Sequence, residues 1–173
     1  MPTGAAKDVT VRRAEPSDYE GVARVFAGPR ALWGTLQVPY TSLEGWRKKM
    51  AEPPEGLVVL VACAGSEIVG MVGLHTHPSR PRRRHVGEIG MAVRDDWQGK
   101  GVGSALMREV IELSDKWLNL VRLELSVYTD NEPAIRLYKR CGFTMEGTLA
   151  AFAFRDGEYV DAYAMARVRR PGA

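Results

Sequence analysis

Along the chain the apolar positions change period several times, and each change marks an element. Val9, Thr10, Val11, Arg12 and Arg13 alternate as a strand does, with every second side chain on one face. Glu15-Pro16-Ser17-Asp18 follows, with proline at a first helical position and acids in the opening turn, so a helix is predicted to about Ala27. Gly28-Pro29 stops it. Arg30 to Tyr40, broken by Gly34 and Pro39, is predicted as an irregular loop ahead of a short helix from Leu43 to Met50. Leu57 to Ala64 and Ile68 to Thr76 read as a hairpin about Gly65-Ser66-Glu67, and His85 to Val93 as a further strand after a basic loop. Then the period becomes helical. Val102, Ala105, Leu106, Val110, Leu113 and Trp117 share one face of a helix that opens at a run of glycines. Val121 to Val127 reads as a strand, and Glu132 to Arg140 as a helix with Gly142 in the place of a C′ glycine and Phe143 entering a strand. Asp156-Gly157 is a hairpin-turn signal that pairs Phe143 to Phe154 with Tyr159 to Val168. No repeat or linker interrupts the order β-α-α-β-β-β-α-β-α-β-β. Residues 1–173 are therefore expected to form one domain, with an ordered core from about 9 to 168.

Composition narrows the setting more than the activity. With 45% hydrophobic and 26% charged residues over 173 positions, the chain has the make-up of a globular domain with one sizeable core. A net charge of +3 leaves room for an anionic ligand, but with a single basic loop it makes a poor footprint for a nucleic acid. Cys63 and Cys141 fit neither a disulfide framework nor a zinc spacing, so no metal is expected and a reducing compartment is. The apolar run Leu57 to Ala64 is too short to cross a bilayer and the opening MPTGAAKDVT holds no apolar signal core. A cytoplasmic protein with no membrane partner is expected.

The richest stretch is Val93-Arg94-Asp95-Asp96-Trp97-Gln98-Gly99-Lys100-Gly101-Val102-Gly103-Ser104, a strand end, a turn and glycines that open a helix. Glycines let a backbone approach a ligand closely, and the unpaired amides at a helix start favour a phosphate or pyrophosphate. The alternative is a plain strand-to-helix junction, which seldom needs three glycines. A P-loop is excluded because no Lys-Ser or Lys-Thr pair follows the glycines. The dinucleotide fingerprint fails too, since Ser104 stands at its last glycine and an antiparallel hairpin precedes the strand.

The segment instead resembles the acyl-CoA signature of the GCN5-related N-acetyltransferases (GNAT), V-x-x-x-x-[QR]-G-x-G-x-[GA], met at Val93, Gln98, Gly99, Gly101 and Gly103. The family's N-x-x-A-x-x-L-Y-x-x-x-G-F pattern is met downstream from Asn131 to Phe143, where the spacing puts Asn131, Ala134 and Tyr138 on one helical face. A cap, a core alanine and a partly buried tyrosine are the structural alternative for those three. The resemblance implies an α/β fold with a mixed, mostly antiparallel seven-stranded sheet and about four helices. It also implies acetyl-CoA as co-substrate, held by the amides from Gly99 to Ser104, Lys100 and Val102 included, with the pantetheine arm paired along Met91, Ala92 and Val93. The family places its general acid at the position of Tyr138. Its members are often dimers, so a homodimer is left open.

Acyl transfer to an amine also needs a proton acceptor, and Glu88, on the strand that leads to Val93, is the candidate base. Its alternative is an ion pair with a nearby arginine. His75 and His77 share a strand face, and no role is assigned to them. Arg80, Arg82, Arg83 and Arg84 form a dense basic loop, which is either a solvated or subunit-contacting turn or a seat for an acceptor carboxylate, with Arg82 and Arg84 as candidates.

The segments Thr35 to Pro39, Arg80 to His85 and Gly157 to Tyr163 resemble the bacterial subgroup that acetylates free L-amino acids. The implied partner is a small amine, foremost the α-amino group of an apolar amino acid, which loses its proton more easily than a lysine side chain. Trp33 and Tyr40, with Phe152, Phe154 and Tyr159, could wall such an acceptor or serve as core and subunit contacts. Protein N-termini, antibiotic amines and polyamines are the alternative acceptors. A nucleic-acid or protein-binding module built on the Arg80 to Arg84 loop is the alternative without catalysis.

Overall fold

The structure, a computed structural model, describes residues 8–170; the first seven positions, read for a signal core, and both ends of the expected domain lie outside the described residues. Seven strands form one sheet: β1 (Val9–Arg13), β2 (Leu57–Ala64), β3 (Glu67–Thr76), β4 (Val86–Val93), β5 (Arg122–Tyr128), β6 (Thr144–Arg155) and β7 (Glu158–Val168). Their spatial order is β1-β2-β3-β4-β5-β7-β6. All neighbours run antiparallel except β4 and β5. The α-helices are α1 (Tyr19–Phe26), α2 (Pro29–Trp33), α3 (Leu43–Ala51), α4 (Val102–Lys116) and α5 (Glu132–Arg140).

Local chemistry explains most of these boundaries. Asp156 and Gly157 both have positive φ, 51° and 85°, as a two-residue hairpin turn of this twist requires. Ser42 caps α3 by accepting from the Gly45 amide at 3.0 Å. Gly142, at φ 89°, ends α5 in the left-handed conformation, and Phe143 donates back to the Tyr138 carbonyl at 3.0 Å.

Two expectations fail for physical reasons. The stretch from Arg30 to Tyr40 is not irregular throughout, because α2 begins directly at Pro29. The carboxylate of Asp95, 65 residues downstream, accepts from the Arg30 and Ala31 amides at 2.8 Å each and so caps the new helix from outside. Five helices therefore stand where four were predicted. Trp117 was placed on the buried stripe of α4 but is 79% exposed, because the helix ends at Lys116. Ser114 takes the buried place, its hydroxyl satisfied by donating to the Val110 carbonyl at 2.7 Å.

The sheet is covered on both faces. Helix α4, through Leu106, and the apolar side of α5 pack on one face over Leu74, Leu123, Phe143 and Met165. Helices α1 and α3 pack on the other over Val22, Val25, Trp46 and Val61, with the rings of Phe26 and Trp46 stacked at 4.9 Å. The sheet splits in the middle. Strands β4 and β5 pair only from Val86 to Glu88 against Arg122 to Glu124, whereas β4 stays paired with β3 up to Val93 and β5 stays paired with β7 up to Tyr128.

Leu106 is wholly buried where α4 meets the sheet. Leu106→Ala is expected to lower the unfolding free energy by about 2–5 kcal/mol through lost burial and the cavity left behind. Chemical denaturation measures this, and a loss under about 1 kcal/mol would contradict the packing.

Candidate active site

Beyond Glu88 the diverging strands open a cleft of about 1240 Å³. The inner edge of β4 forms its spine, the start of α4 one end and the segment after α2 a side wall. Past the split, β4 has no strand partner on its β5 side, so backbone polar groups there are free for a ligand.

The glycine segment does two jobs. Gly99 and Gly101 have φ of 74° and 83°, which a β-carbon makes costly, and Gly101 is the N-cap of α4. The first helical bond runs from the Ala105 amide to the Gly101 carbonyl at 3.0 Å, which leaves the amides of Val102, Gly103 and Ser104 without a helical partner. Gly99, Gly101, Gly103 and Ser104 line the cleft. Gly103 is also a packing glycine, because a β-carbon there would come within 2.9 Å of Leu137 Cδ2 on α5. Lys100 and Val102 do not line the cleft. The Lys100 ammonium lies 5.1 Å from the centroid of the Trp97 ring, and the Val102 side chain is core. Gln98 lines the cleft and braces it, donating to the Val93 carbonyl at 3.2 Å.

Met91, Ala92 and Val93 line the cleft, and so do Ala134 and Tyr138. Asn131 also lines it while capping α5 through the Ala134 amide at 3.3 Å, so the cap alternative and the cleft position both hold for this residue. Tyr138 is 7% exposed, and burial pushes its hydroxyl up to about 12, with the Cys141 thiol adding a smaller push.

Glu88 lies in the cleft with His75 opposite it on β3 and Glu124 opposite it on β5. The two glutamates have different surroundings. Burial works against the Glu124 carboxylate, but Arg122 at 2.6 Å and Arg83 at 3.0 Å outweigh it and hold the group below its ordinary value. Among the described residues no ion pair engages Glu88. The arginine that could have paired with it is drawn to the neighbouring strand instead.

The basic loop lies outside the cleft lining. Pro81–Arg83 forms a single 3-10 turn, Arg83 is taken by Glu124, and Arg84 Nε donates to the Pro78 carbonyl at 3.1 Å. Arg82 and Arg84, expected at the acceptor, are exposed and outside the cleft lining. Tyr40 is fully exposed at φ 62°, also outside it. Phe154 and Tyr159 pack edge to face on each other at 5.1 Å on the surface hairpin. Trp33 and Phe152 do line the cleft.

Sequence reasoning missed three contributors. Tyr128 lines the cleft and donates its hydroxyl to the Thr35 carbonyl at 3.1 Å. Asp95 fastens α2, and Arg155 joins the Trp33 and Tyr128 rings to Asp130. Asp95 lies inside the glycine segment and Tyr128 just before the Asn131 pattern, which was the available signal; Arg155 had none. No cluster of three metal-ligating side chains occurs among the described residues, and none of their helices is long and apolar enough to cross a membrane.

Comparisons with known proteins agree with this geometry. The model of the Acetyltransferase (GNAT) family matches residues 23–143. The L-amino acid N-acetyltransferase AaaT of Escherichia coli (strain K12) is 46% identical over 94% of this chain and 99% of its own. An acetyltransferase of the GNAT family from Streptococcus pneumoniae superposes with a TM-score of 0.77 at 26% identity, covering 94% of this chain and 99% of that one. Spermidine N-acetyltransferase from Vibrio cholerae, solved with CoA and spermine, shares the fold at a TM-score of 0.80 and 23% identity, covering 94% and 96%. A split sheet with free helix-start amides at one end of its cleft, matched by the family model and by a relative of nearly full length, places the chain in the GNAT acetyltransferase family.

Proposed function

We propose that this N-acetyltransferase moves an acetyl group from acetyl-CoA to the α-amino group of a free, mainly apolar L-amino acid by direct attack in a ternary complex. The observation that carries the reading is the free inner edge of β4, which runs from the helix-start amides to Glu88 within one cleft. The 46% identity to an L-amino acid N-acetyltransferase and the aromatic wall of Trp33, Tyr128 and Phe152 support the acceptor class. Acetyl-CoA supplies a thioester carbonyl that a neutral amine can attack.

The residues divide the remaining work. The amides of Gly103 and Ser104, at the positive end of α4, seat the pyrophosphate. Met91, Ala92 and Val93 offer backbone pairing to the amide-bearing arm, and one amide there faces the developing oxyanion. Glu88 takes the ammonium proton, directly or through water. With its hydroxyl pushed up to about 12, Tyr138 is a weaker acid than a thiol, whose ordinary value is near 8.5. It therefore serves by hydrogen bonding the departing sulfur and passing on the proton the nitrogen releases, without itself ionising. Arg30, Arg136 and Arg140 line the cleft and favour a ligand pair that bears phosphate and carboxylate.

Three substitutions and one panel test these roles. Ser104 is the third residue of α4, where an acid favours the helix but faces the pyrophosphate. Ser104→Asp is thus expected to weaken acetyl-CoA binding about tenfold or more by calorimetry, with no loss of melting temperature. Glu88→Gln should cost most activity below about pH 7 and progressively less above about pH 8, where an α-amino group is already neutral. A loss that is uniform with pH would indicate a structural role. Tyr138→Phe should lower kcat by about 10²–10⁴-fold. Because the hydroxyl stays protonated to about 12, any alkaline fall in the wild-type rate below pH 10 should persist in an active variant. Release of CoA with a panel of amines decides the acceptor: turnover of phenylalanine or methionine supports the reading, and activity confined to polyamines, aminoglycosides or peptide N-termini overturns it.

A further inference from the structure

The acceptor-side wall of the cleft has no core anchor of its own. It consists of Trp33, the last residue of α2, to Gln37, and no residue between Leu32 and Gly45 is buried. Besides α2, which Asp95 fastens and onto which Gly34 and Thr35 bond back, two side chains from elsewhere tie it to the sheet. Tyr128, at the end of β5, donates its hydroxyl to the Thr35 carbonyl at 3.1 Å. Arg155, at the end of β6, places its guanidinium 3.9 Å from the centroid of the Trp33 ring and 4.9 Å from that of Tyr128. Its Nη1 donates to the Trp33 carbonyl at 3.3 Å, and its fork closes on the Asp130 carboxylate. The side chain is only 12% exposed, and its Nε is buried without a hydrogen-bond partner.

Asp130 adds an electrostatic side to the same arrangement. It lines the cleft, and an uncovered carboxylate there would repel an acceptor that carries its own carboxylate. We propose that Arg155 is a positioning residue that sets acceptor specificity: it fastens the Trp33–Gln37 wall and cancels the charge of Asp130, so that the pocket admits a carboxylate-bearing amine. The charge half rests on the acceptor reading above, and the fastening half does not.

The test compares Arg155→Gln, Arg155→Gln/Asp130→Asn and the milder Arg155→Lys with the wild type. Arg155→Gln is expected to raise the acceptor KM for phenylalanine or methionine about tenfold or more, while the calorimetric Kd for acetyl-CoA stays within about twofold. Arg155→Gln/Asp130→Asn should recover part of that KM loss, because the bare carboxylate is gone. Arg155→Lys keeps the charge over Asp130 and should lose less. All three should be cut faster by chymotrypsin between Trp33 and Leu43 at an unchanged melting temperature, since none keeps the planar guanidinium against the Trp33 ring. An acceptor KM within about twofold of wild type in Arg155→Gln, an equal loss of acetyl-CoA affinity, or unchanged cleavage overturns the proposal. No recovery in the double variant overturns its charge half. A wild type that turns over no amino acid removes the acceptor reading and the charge half with it, and the chymotryptic rates then decide the fastening alone.

Discussion

The site depends on three residue pairs between β4 and β5, and on the fact that the pairing stops after Glu88 and Glu124. Each strand remains bonded on its outer side, so neither loses its place in the sheet when the two part. The cost of parting is a row of backbone groups with no strand partner, which a protein tolerates only where water or a ligand can serve them. Helices α4 and α5 approach the same gap, and Gly103 lets them close to within contact of Leu137. One split thus brings together a free strand edge, free helix-start amides and the floor that carries Glu88.

Charge is distributed so that the adjacent glutamates have different partners. Glu124 is held ionised between Arg83 and Arg122, which also ties it to the pair between Arg122 and Glu146 on β6. Glu88, one strand away, faces the cleft without an arginine, and the Tyr138 hydroxyl across the gap is kept protonated by burial. In the proposed mechanism these two groups divide the proton traffic, Glu88 accepting from the ammonium and Tyr138 relaying a proton to sulfur.

How much of this was legible in the chain depended on how far apart the interacting residues lie. The start of α4 was readable because glycine at positive φ and unpaired helix amides are local consequences of Gln98 to Ser104. Gly142 ended α5 for the same kind of reason. Helix α2 was not readable, because its cap is Asp95, 65 residues away. Trp117 misled because periodicity sees an apolar residue but not the helix end before it, while Ser114 was hidden by being polar. The arginine loop shows another limit: a run of cations shows charge, but which of them is spent on a carboxylate such as Glu124 is fixed only by the register of β4 on β5. Arg155 belongs to the same class, since its partners Trp33, Tyr128 and Asp130 come from two other parts of the chain.

The most direct test of the central role of the split is amide hydrogen exchange with and without acetyl-CoA, read on peptides that cover 89–93 and 99–104. Donor binding along the free edge of β4 and on the start of α4 requires both peptides to exchange at least about tenfold more slowly when acetyl-CoA is present, with β6 unaffected. Protection that is absent from 89–93, or confined to the Arg80 to Arg84 loop, would contradict it.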